Sequence, residues 1–283
     1  MKEKDKKQED HQKDLEQKSN KIEEGKKYSD ILSRVVHEGE EIFKIKKLAI
    51  FLSALIAGLE IGFSYVMICT LHFLLLGSFE ESVIFKMFAL VYPVGFILVV
   101  LGKSVLFTEQ TSLLALPVLN GQRSLLELFR LWAVVISGNI LGGIAFTFFI
   151  GAIAPELGLF DTKTMVTIGE HVLQYEAWVL FLSAITAGWL MGLLTWLLNS
   201  TMNSLTRLAI IIIITGVIGF GGFHHSIVGN IEAFGAFLHS ENVSFWDYLS
   251  FLLLALMGNA IGGAIVVGLF KYRIFESNYS QKL

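Results

Sequence analysis

Long apolar runs separated by short polar segments dominate the chain from about residue 48 onward. Four of these runs are uninterrupted and cover about Leu48 to Leu76, Leu125 to Ile153, Ala177 to Leu198 and Tyr248 to Phe270. An α-helix needs roughly 20 apolar residues to cross a bilayer, and each run reaches about that length. The pattern therefore predicts four continuous transmembrane helices.

Two further apolar runs are interrupted near their middle. The first begins near Ile84, breaks at Gly102-Lys103-Ser104 and resumes through Leu113 to Leu119. The second extends from Leu205 to Leu238 and carries glycines, histidines, a serine, an asparagine and a glutamate between Gly216 and Phe234. Each half of the first of these two runs is expected to be too short to cross the membrane alone. Polar groups and free backbone at membrane depth must be buried in protein or line a wet cavity, so the breaks are candidate parts of a pore.

Together these runs predict an all-α membrane protein with six transmembrane helices, the second and fifth of them broken. An even number of crossings places both termini on one side of the plasma membrane. The lysines and arginines near the spans collect on one predicted face, whereas the loops of the other face are mainly acidic. Since basic residues favour the cytoplasm, both termini are predicted to be cytoplasmic. The basic residues are Lys44, Lys46, Lys47, Arg123, Arg207, Lys271 and Arg273.

The chain outside the spans divides into three parts. Residues 1–28 alternate lysine with acidic and amide residues and are predicted to form a disordered cytoplasmic tail. In residues 29–47 the apolar positions recur at three- and four-residue spacing, which predicts an amphipathic helix against the cytoplasmic membrane face. A surface anchor is favoured over a gating element for this helix. The transport domain is expected to span residues 48–273, and residues 274–283 to form a second cytoplasmic tail.

Composition excludes several classes of function. The 283 residues are 54 % hydrophobic and 17 % charged, with a mean hydropathy of +0.63 and a net charge of -3, so the protein lacks the basic surface that nucleic acid requires. Cys69 is the only cysteine, which excludes an internal disulfide and a thiolate metal cluster. Neither a His-Glu-x-x-His nor a Gly-x-Ser-x-Gly element occurs. We therefore predict no enzymatic activity, no cofactor and no metal.

The sequence contains an internal repeat. Three pairs of segments occur in the same order in the two halves: Ser53–Gly58 with Ser183–Gly188, Phe107-Thr108-Glu109 with Phe223-His224-His225, and Gly138–Gly143 with Gly258–Gly263. Because each repeat holds three spans, the two copies must lie in opposite orientations across the membrane. Inverted repeats with broken helices at matching positions indicate a solute path between the halves.

These segments are similar to those of the formate/nitrite transporter family. The similarity is carried by Phe223-His224-His225-Ser226-Ile227 with Asn230, by Leu106-Phe107-Thr108, by Pro117–Gly121 and by Gly258-Asn259, and it covers about Leu48 to Arg273. The resemblance implies an aquaporin-like protomer, assembled as a homopentamer in the lipid bilayer. Each protomer would hold its own pore for small monovalent anions such as formate or nitrite.

The resemblance also implies roles for individual residues. His225 would lie in the middle of the pore, facing a loop that bears Thr108, with Leu106 and Phe107 as neighbours. Phe220 or Phe223 would form a constriction from the other repeat. Many formate channels carry an acidic residue immediately before the histidine, where this chain has His224.

Several polar residues at similar depth have two interpretations. Asn139 and Asn259 are expected mainly to pack helices together, and also to lie along the pathway. Lys103 adds positive charge to a vestibule or extends to the interface. His224 is expected to be structural, Glu109 to brace the loop near Ser112 or Gln110, and Glu232 to lie solvated in the outer vestibule. Asn230 is also predicted to lie along the pathway, whereas no role is predicted for Glu60.

A weak-acid anion needs neutralisation to cross an apolar constriction. The positive ends of the half-helices that begin at the breaks attract it, and His225 is expected to share a proton with it. The alternatives are an aquaporin-like channel for small neutral solutes and a membrane sensor that carries nothing. An intramembrane enzyme is a more distant alternative, because the expected motifs are missing.

Overall fold

The computed structural model describes residues 28–279, and these residues form helices joined by short turns without a β-strand among them. Most of the predicted tail 1–28, and the last four residues of the predicted tail 274–283, lie outside the described residues. The helices are α1 (Tyr28–Lys44), α2 (Lys47–Leu75), α3 (Glu81–Met87), α4 (Pro93–Gly102), α5 (Phe107–Leu119), α6 (Leu125–Ile153), α7 (Thr162–Leu173), α8 (Ala177–Ser200), α9 (Ser204–Gly221), α10 (Ser226–His239), α11 (Phe245–Ala260) and α12 (Phe270–Tyr279).

Six stretches of residues 28–279 are apolar and long enough to cross a membrane, which confirms the predicted number of spans. They are α2, α3 with α4, α6, α8, α9, and α11 continued into α12. The expectation that both halves of the first broken span are too short is wrong for the half before the break, and the corresponding half of the other broken span is also long enough to cross. Glu81–Gly102 has 22 residues and α9 has 18. The halves after the breaks are shorter, with 13 residues in α5 and 14 in α10.

Helix boundaries follow the local sequence. The Ser124 hydroxyl accepts a hydrogen bond from the Glu127 backbone N–H, the Glu127 carboxylate accepts one from the Ser124 N–H, and α6 begins there. Ser244 and Asp247 start α11 in the same way. Both pairs are capping boxes, which satisfy the free N–H groups of a first helical turn. Two of the long spans are thereby fixed at positions that the sequence specifies.

The two inverted triplets pack through matching small residues. In the first triplet α2 lies along α6, and a Cβ added at Gly58 would overlap the Asn139 carbonyl oxygen. In the second triplet α8 lies along α11, and a Cβ at Gly188 would overlap the Asn259 carbonyl oxygen. Small residues let two helix backbones approach closely in a membrane. The same contact in both halves confirms the inverted repeat.

The amphipathic helix α1 packs on protein. Its buried side chains Leu32 and Val35 belong to the core, and the helix lies against α5 and α8. On its polar side, the Arg123 Nε donates a 2.9 Å hydrogen bond to the Glu40 carboxylate. That hydrogen bond from the Arg123 guanidinium lowers the pKa of Glu40. The helix is therefore held by an apolar contact on one face and an ion pair on the other.

The last span continues past the predicted end of the transport domain. A π-helical segment, Ile261–Leu269, connects α11 to α12, and α12 extends as far as Tyr279. The π-helical segment packs against α5 and α8. As far as Tyr279, the predicted tail 274–283 is therefore a helical extension of the last span.

We expect Gly188→Ala to destabilise the protein and Gly216→Ala to leave it unchanged or slightly more stable. The alanine methyl at residue 188 would overlap backbone, and overpacking of this kind costs about 1–3 kcal/mol. At residue 216 the nearest atom to an added Cβ is the Ala89 carbonyl oxygen at 3.4 Å, an ordinary contact. Thermal unfolding of both variants in detergent tests this expectation. Equal unfolding temperatures would show that the α8–α11 contact is not closely packed.

Candidate functional site

The two broken spans change direction in the same way. Helix α4 ends at Lys103 with φ of 64°, and α9 ends at Gly222 with φ of 65°. Both φ angles lie in the left-handed region, which glycine adopts without strain. The same conformation costs other residues about 1–2 kcal/mol. Across residues 28–279, Lys103 is the one non-glycine residue with a positive φ. The first break therefore places a strained lysine where the second has a glycine.

Asn139 of α6 satisfies the backbone groups that the first break leaves free. Its Oδ1 accepts a hydrogen bond from the Phe107 N–H at 2.8 Å. Its Nδ2 donates to the carbonyl oxygens of Ala54 at 2.7 Å and Val105 at 2.9 Å. An unpaired peptide group in hydrocarbon costs several kcal/mol, so one asparagine side chain makes the break tolerable at membrane depth.

Asn259 of α11 makes the equivalent contacts at the second break. Its Oδ1 accepts from the Ser226 N–H at 2.8 Å, and its Nδ2 donates to the carbonyl oxygens of Ala184 at 2.7 Å and His224 at 3.0 Å. Serine hydroxyls complete both braces, because Ser53 accepts from the Val105 N–H and Ser183 from the His224 N–H. The two asparagines are expected to pack helices together. They do so by hydrogen-bonding the backbone of the helix breaks.

These hydrogen bonds correct the predicted register of the repeat. Phe107 and Ser226 occupy equivalent positions, so Phe107 does not correspond to Phe223, which lies three residues earlier. The sequence comparison matched the two aromatic residues, whereas the fold matches the backbone N–H groups that the asparagines hold. In the corrected register His225 corresponds to Leu106, and these two residues are the N-caps of α10 and α5.

His225 joins the two breaks. Its Nδ1 accepts a 3.3 Å hydrogen bond from the Val228 N–H at the start of α10. In the neutral ring the proton therefore resides on Nε2, which lies 2.6 Å from the Thr108 Oγ and donates to it. The ring is only 2 % exposed and meets the edge of Phe96 with a centroid distance of 5.0 Å. The imidazole therefore lies inside the protein, between the two half-helices.

Two cavities enter the protein from opposite ends of α9. The first has a volume of about 370 Å³ and extends from the C-terminal end of α9 inward to His225. The second has a volume of about 380 Å³ and lies between α1, the first break and the N-terminal end of α9. Since α9 is long enough to cross a membrane, the cavities open toward opposite faces. The His225–Thr108 contact lies at the inner end of the first cavity.

The structure places only part of the predicted pathway set on these cavities. Four of its members line the first cavity and one lines the second. They are Phe220, Phe223, His224 and His225 in the first cavity and Lys103 in the second. Phe220 is 58 % exposed and lies at the rim, where its carbonyl oxygen accepts a hydrogen bond from Lys86. Thr108 lines neither cavity, but its hydroxyl contacts His225.

Three other predicted pathway residues are buried away from both cavities. Leu106 is fully buried beneath the first break, and Phe107 packs edge-on against Trp132 at 5.6 Å. Asn230 accepts a 2.6 Å hydrogen bond from the Tyr248 hydroxyl and donates to the Ile140 carbonyl oxygen. Phe107 and Asn230 therefore pack helices together, and Asn139 and Asn259 brace the breaks without lining a cavity.

The observed hydrogen bonds agree with the role predicted for His224 but not with the role predicted for Glu109. The His224 backbone N–H donates a 3.2 Å hydrogen bond to the Ser183 hydroxyl, and the His224 Nδ1 lies 2.8 Å from the same hydroxyl, contacts that are consistent with the structural role predicted for this residue. The Glu109 side chain lines the second cavity, and the hydrogen bond that its residue makes runs from the Thr195 hydroxyl to its backbone carbonyl. The brace expected between Glu109 and Ser112 or Gln110 is not formed.

Sequence reasoning missed several residues of the first cavity. Glu232 lines this cavity but is only 8 % exposed, so the expectation that it is well solvated there is wrong. Its position seven residues after His225, on the same helical face, was the available signal. His171 of α7 also lines the cavity and stacks on Phe85 at 3.6 Å. Burial lowers the pKa of His171, so its ring is mostly neutral near pH 7.

Comparisons with known proteins agree with this geometry. Residues 29–273 match the sequence profile described as "Formate/nitrite transporter". The chain is 30 % identical over 298 aligned positions to Inner membrane protein YfdC of Escherichia coli (strain K12), covering 96 % of this chain and 90 % of that protein. A solved "FNT family ion channel" superposes with a TM-score of 0.77 at 21 % identity, over 87 % of this chain and 99 % of the other.

A second solved structure has a similar fold. It is described as "Pentameric formate channel with formate bound" and superposes with a TM-score of 0.68 at 22 % identity. The match covers 81 % of this chain and 97 % of that one. The two superpositions confirm the aquaporin-like arrangement that the sequence predicts.

We expect Asn139→Leu and Asn259→Leu each to destabilise the protein strongly, by similar amounts. Leucine has nearly the same volume but leaves the Phe107 N–H and the Val105 carbonyl oxygen without their partner, at about 1–3 kcal/mol for each group. Asn199→Leu is the matched control, because Asn199 lies at the end of α8 and bonds Glu38 across an exposed contact. Thermal unfolding in detergent compares the three variants. A loss no larger than that of the control would contradict the bracing role.

Proposed function

Because the chain belongs to the formate/nitrite transporter family, we propose that each protomer carries a small monovalent weak-acid anion across the membrane through its own pathway. The protein is a multi-pass membrane transport protein and not an enzyme. The observation that supports the proposed pathway best is the contact of His225 Nε2 with Thr108, at the inner end of a cavity and between two half-helices. Formate and nitrite are the substrates that we expect.

Two features of the fold favour an anion. Helices α5 and α10 begin at the breaks, so the positive ends of their dipoles lie inside the protein. Helix N-termini present N–H groups that bind anions without adding a mobile charge. Lys103, on the wall of the second cavity, adds a full positive charge on that side. An anion that reaches the breaks from either cavity therefore meets the positive end of a half-helix.

The His225–Thr108 pair supplies the proton in our proposal. The neutral imidazole directs its Nε2–H toward Thr108, and the Thr108 hydroxyl is free to donate its own proton. A weak-acid anion beside the ring favours the imidazolium, whereas burial disfavours it. The proton can therefore pass to the anion, and the resulting neutral acid crosses the buried region around Leu106 far more readily than an anion does.

The charge distribution supports an orientation. We propose that the second cavity, bordered by α1, Lys103 and Arg207, faces the cytoplasm together with both termini. The first cavity would then open to the outside. We also propose a homopentamer, because a pentameric formate channel has a similar fold. The exposed apolar side chains of α6, including Leu141, Phe148 and Phe149, would face lipid or a neighbouring protomer.

We expect His225→Phe to abolish formate and nitrite uptake by proteoliposomes, and Thr108→Val to reduce it at least about tenfold. Phenylalanine keeps the ring packed against Phe96 but has no proton to share. His239→Phe is the control, because His239 lies exposed at the end of the same helix. Uptake is measured with equal amounts of correctly assembled protein. Normal uptake by His225→Phe would exclude the proton role of His225.

We expect proteoliposomes to take up formate and to exclude glycerol. An aquaporin-like channel for neutral solutes would give the opposite result, and a sensor would pass neither. The imidazole and the positive helix ends select for a weak-acid anion, whereas glycerol gains nothing from them. Light-scattering measurements of swelling in the two solutes make the comparison. Empty liposomes and the His225→Phe variant provide the baseline.

A further inference from the structure

We propose that Glu232 is the residue that excludes permanent anions: its carboxyl group must be protonated before an anion can pass from the first cavity to His225. This inference rests on the proposed function and concerns the same pathway. Glu232 would then make the protein selective for anions of weak acids, which arrive together with a proton. Anions of strong acids would meet a carboxylate instead.

The position of Glu232 carries the proposal. Residues 225, 229 and 232 follow one face of α10, and all three line the first cavity. Gly229 lies between the two titratable residues, and a Cβ there would meet the Phe251 ring. A solute that moves from the cavity mouth to His225 therefore passes Glu232 along the same wall.

Glu232 has no partner that would hold it ionised. Its side chain is 8 % exposed, and within the described part of the chain it has neither a hydrogen bond nor an ion pair. The other carboxylate on the wall of this cavity is Glu81, which is half exposed and lies 3.3 Å from the His72 Nε2. The remaining titratable groups near Glu232 are neutral in their ordinary state. They are Tyr65 and Cys69 of α2, Tyr92 before α4, His171 of α7, Tyr248 of α11, and His225 of α10 itself.

The nearest basic residue on this cavity is already engaged. The Lys86 ammonium donates a 3.0 Å hydrogen bond to the Phe220 carbonyl oxygen and lies over the Phe220 ring. Both contacts hold it at the rim, where Phe220 is exposed. A buried carboxylate without a cation is unfavourable, and a second negative charge beside it would be more so. Protonation removes both penalties, and the proton comes from water in the cavity.

A protonated carboxyl group also offers something that a carboxylate cannot. It has one O–H donor, so it can hydrogen-bond an anion on its way to His225. In this state Glu232 adds a hydrogen-bond donor to the cavity wall. The helix end and the imidazole already make the same wall favourable for an anion. The same side chain therefore repels an anion at high pH and binds it at low pH.

The test compares nitrate, the anion of a strong acid, with formate in proteoliposomes of the full-length protein. Glutamine at residue 232 has the shape of glutamate and a donor group, but it cannot ionise. We expect Glu232→Gln to raise the nitrate-to-formate uptake ratio at about pH 8 by roughly tenfold. Because burial disfavours the carboxylate, nitrate uptake by the wild type is expected to rise between about pH 8 and about pH 6. This rise should largely disappear in the variant.

Two further variants separate the effect of the charge at residue 232 from the effect of negative charge elsewhere at the rim. Glu176→Gln removes one exposed negative charge beside Tyr175, which lines the same cavity, and it should keep the wild-type ratio. Glu232→Asp retains an ionisable group and should keep most of the discrimination against nitrate. If Glu232→Gln fails to assemble, as judged by size-exclusion chromatography, Glu232→Met fills the same space without a charge and should also raise the ratio.

The outcomes distinguish this proposal from the proposed function. If the wild type carries formate and Glu232→Gln or Glu232→Met leaves the nitrate-to-formate ratio unchanged, the role of Glu232 is excluded and the transport function stands. An equal increase in Glu176→Gln would also overturn it, since the effect would then come from the general potential at the rim. If the wild type carries neither anion, the proposed function fails first and this inference with it.

Discussion

The structure depends on the hydrogen bonds by which Asn139 and Asn259 hold the two helix breaks. A broken helix within a bilayer leaves peptide groups unpaired, and hydrocarbon offers them no water. Each asparagine accepts one N–H and donates to one carbonyl oxygen of its break, and it also donates to a carbonyl oxygen of the neighbouring long helix. A single side chain therefore satisfies the break and ties it to that helix. Without these hydrogen bonds the half-helices could not begin inside the membrane.

The glycine contacts of the long spans help to satisfy the hydrogen bonds of the helix breaks. Gly58 brings α2 close to the Asn139 backbone, and Gly188 brings α8 close to the Asn259 backbone. This approach places the carbonyl oxygens of Ala54 and Ala184 within reach of the asparagine amides. Close helix packing and satisfied breaks are therefore one arrangement, which occurs twice with opposite orientations in the membrane.

The two repeats share a backbone but differ in chemistry. At equivalent N-cap positions the first half has Leu106 and the second has His225. One repeat thus contributes an apolar side chain and the other a titratable ring, next to a hydroxyl from Thr108. In the proposed function, two helix ends of this symmetric scaffold would attract an anion, and the asymmetric centre would exchange a proton with it at one place. Glu232 extends this asymmetry toward the first cavity.

The sequence by itself determined the number of spans, the two breaks and the repeat, and it singled out His225 as a candidate, because hydropathy, glycines and short motifs are local signals. It could not set the register of the repeat, since Phe107 and Phe223 look alike while Ser226 is the residue that Asn259 holds. Only the tertiary structure decided that Phe107 and Asn230 pack helices and that Glu232 faces a cavity. Which way a side chain points depends on how distant helices pack, and no local pattern encodes that packing.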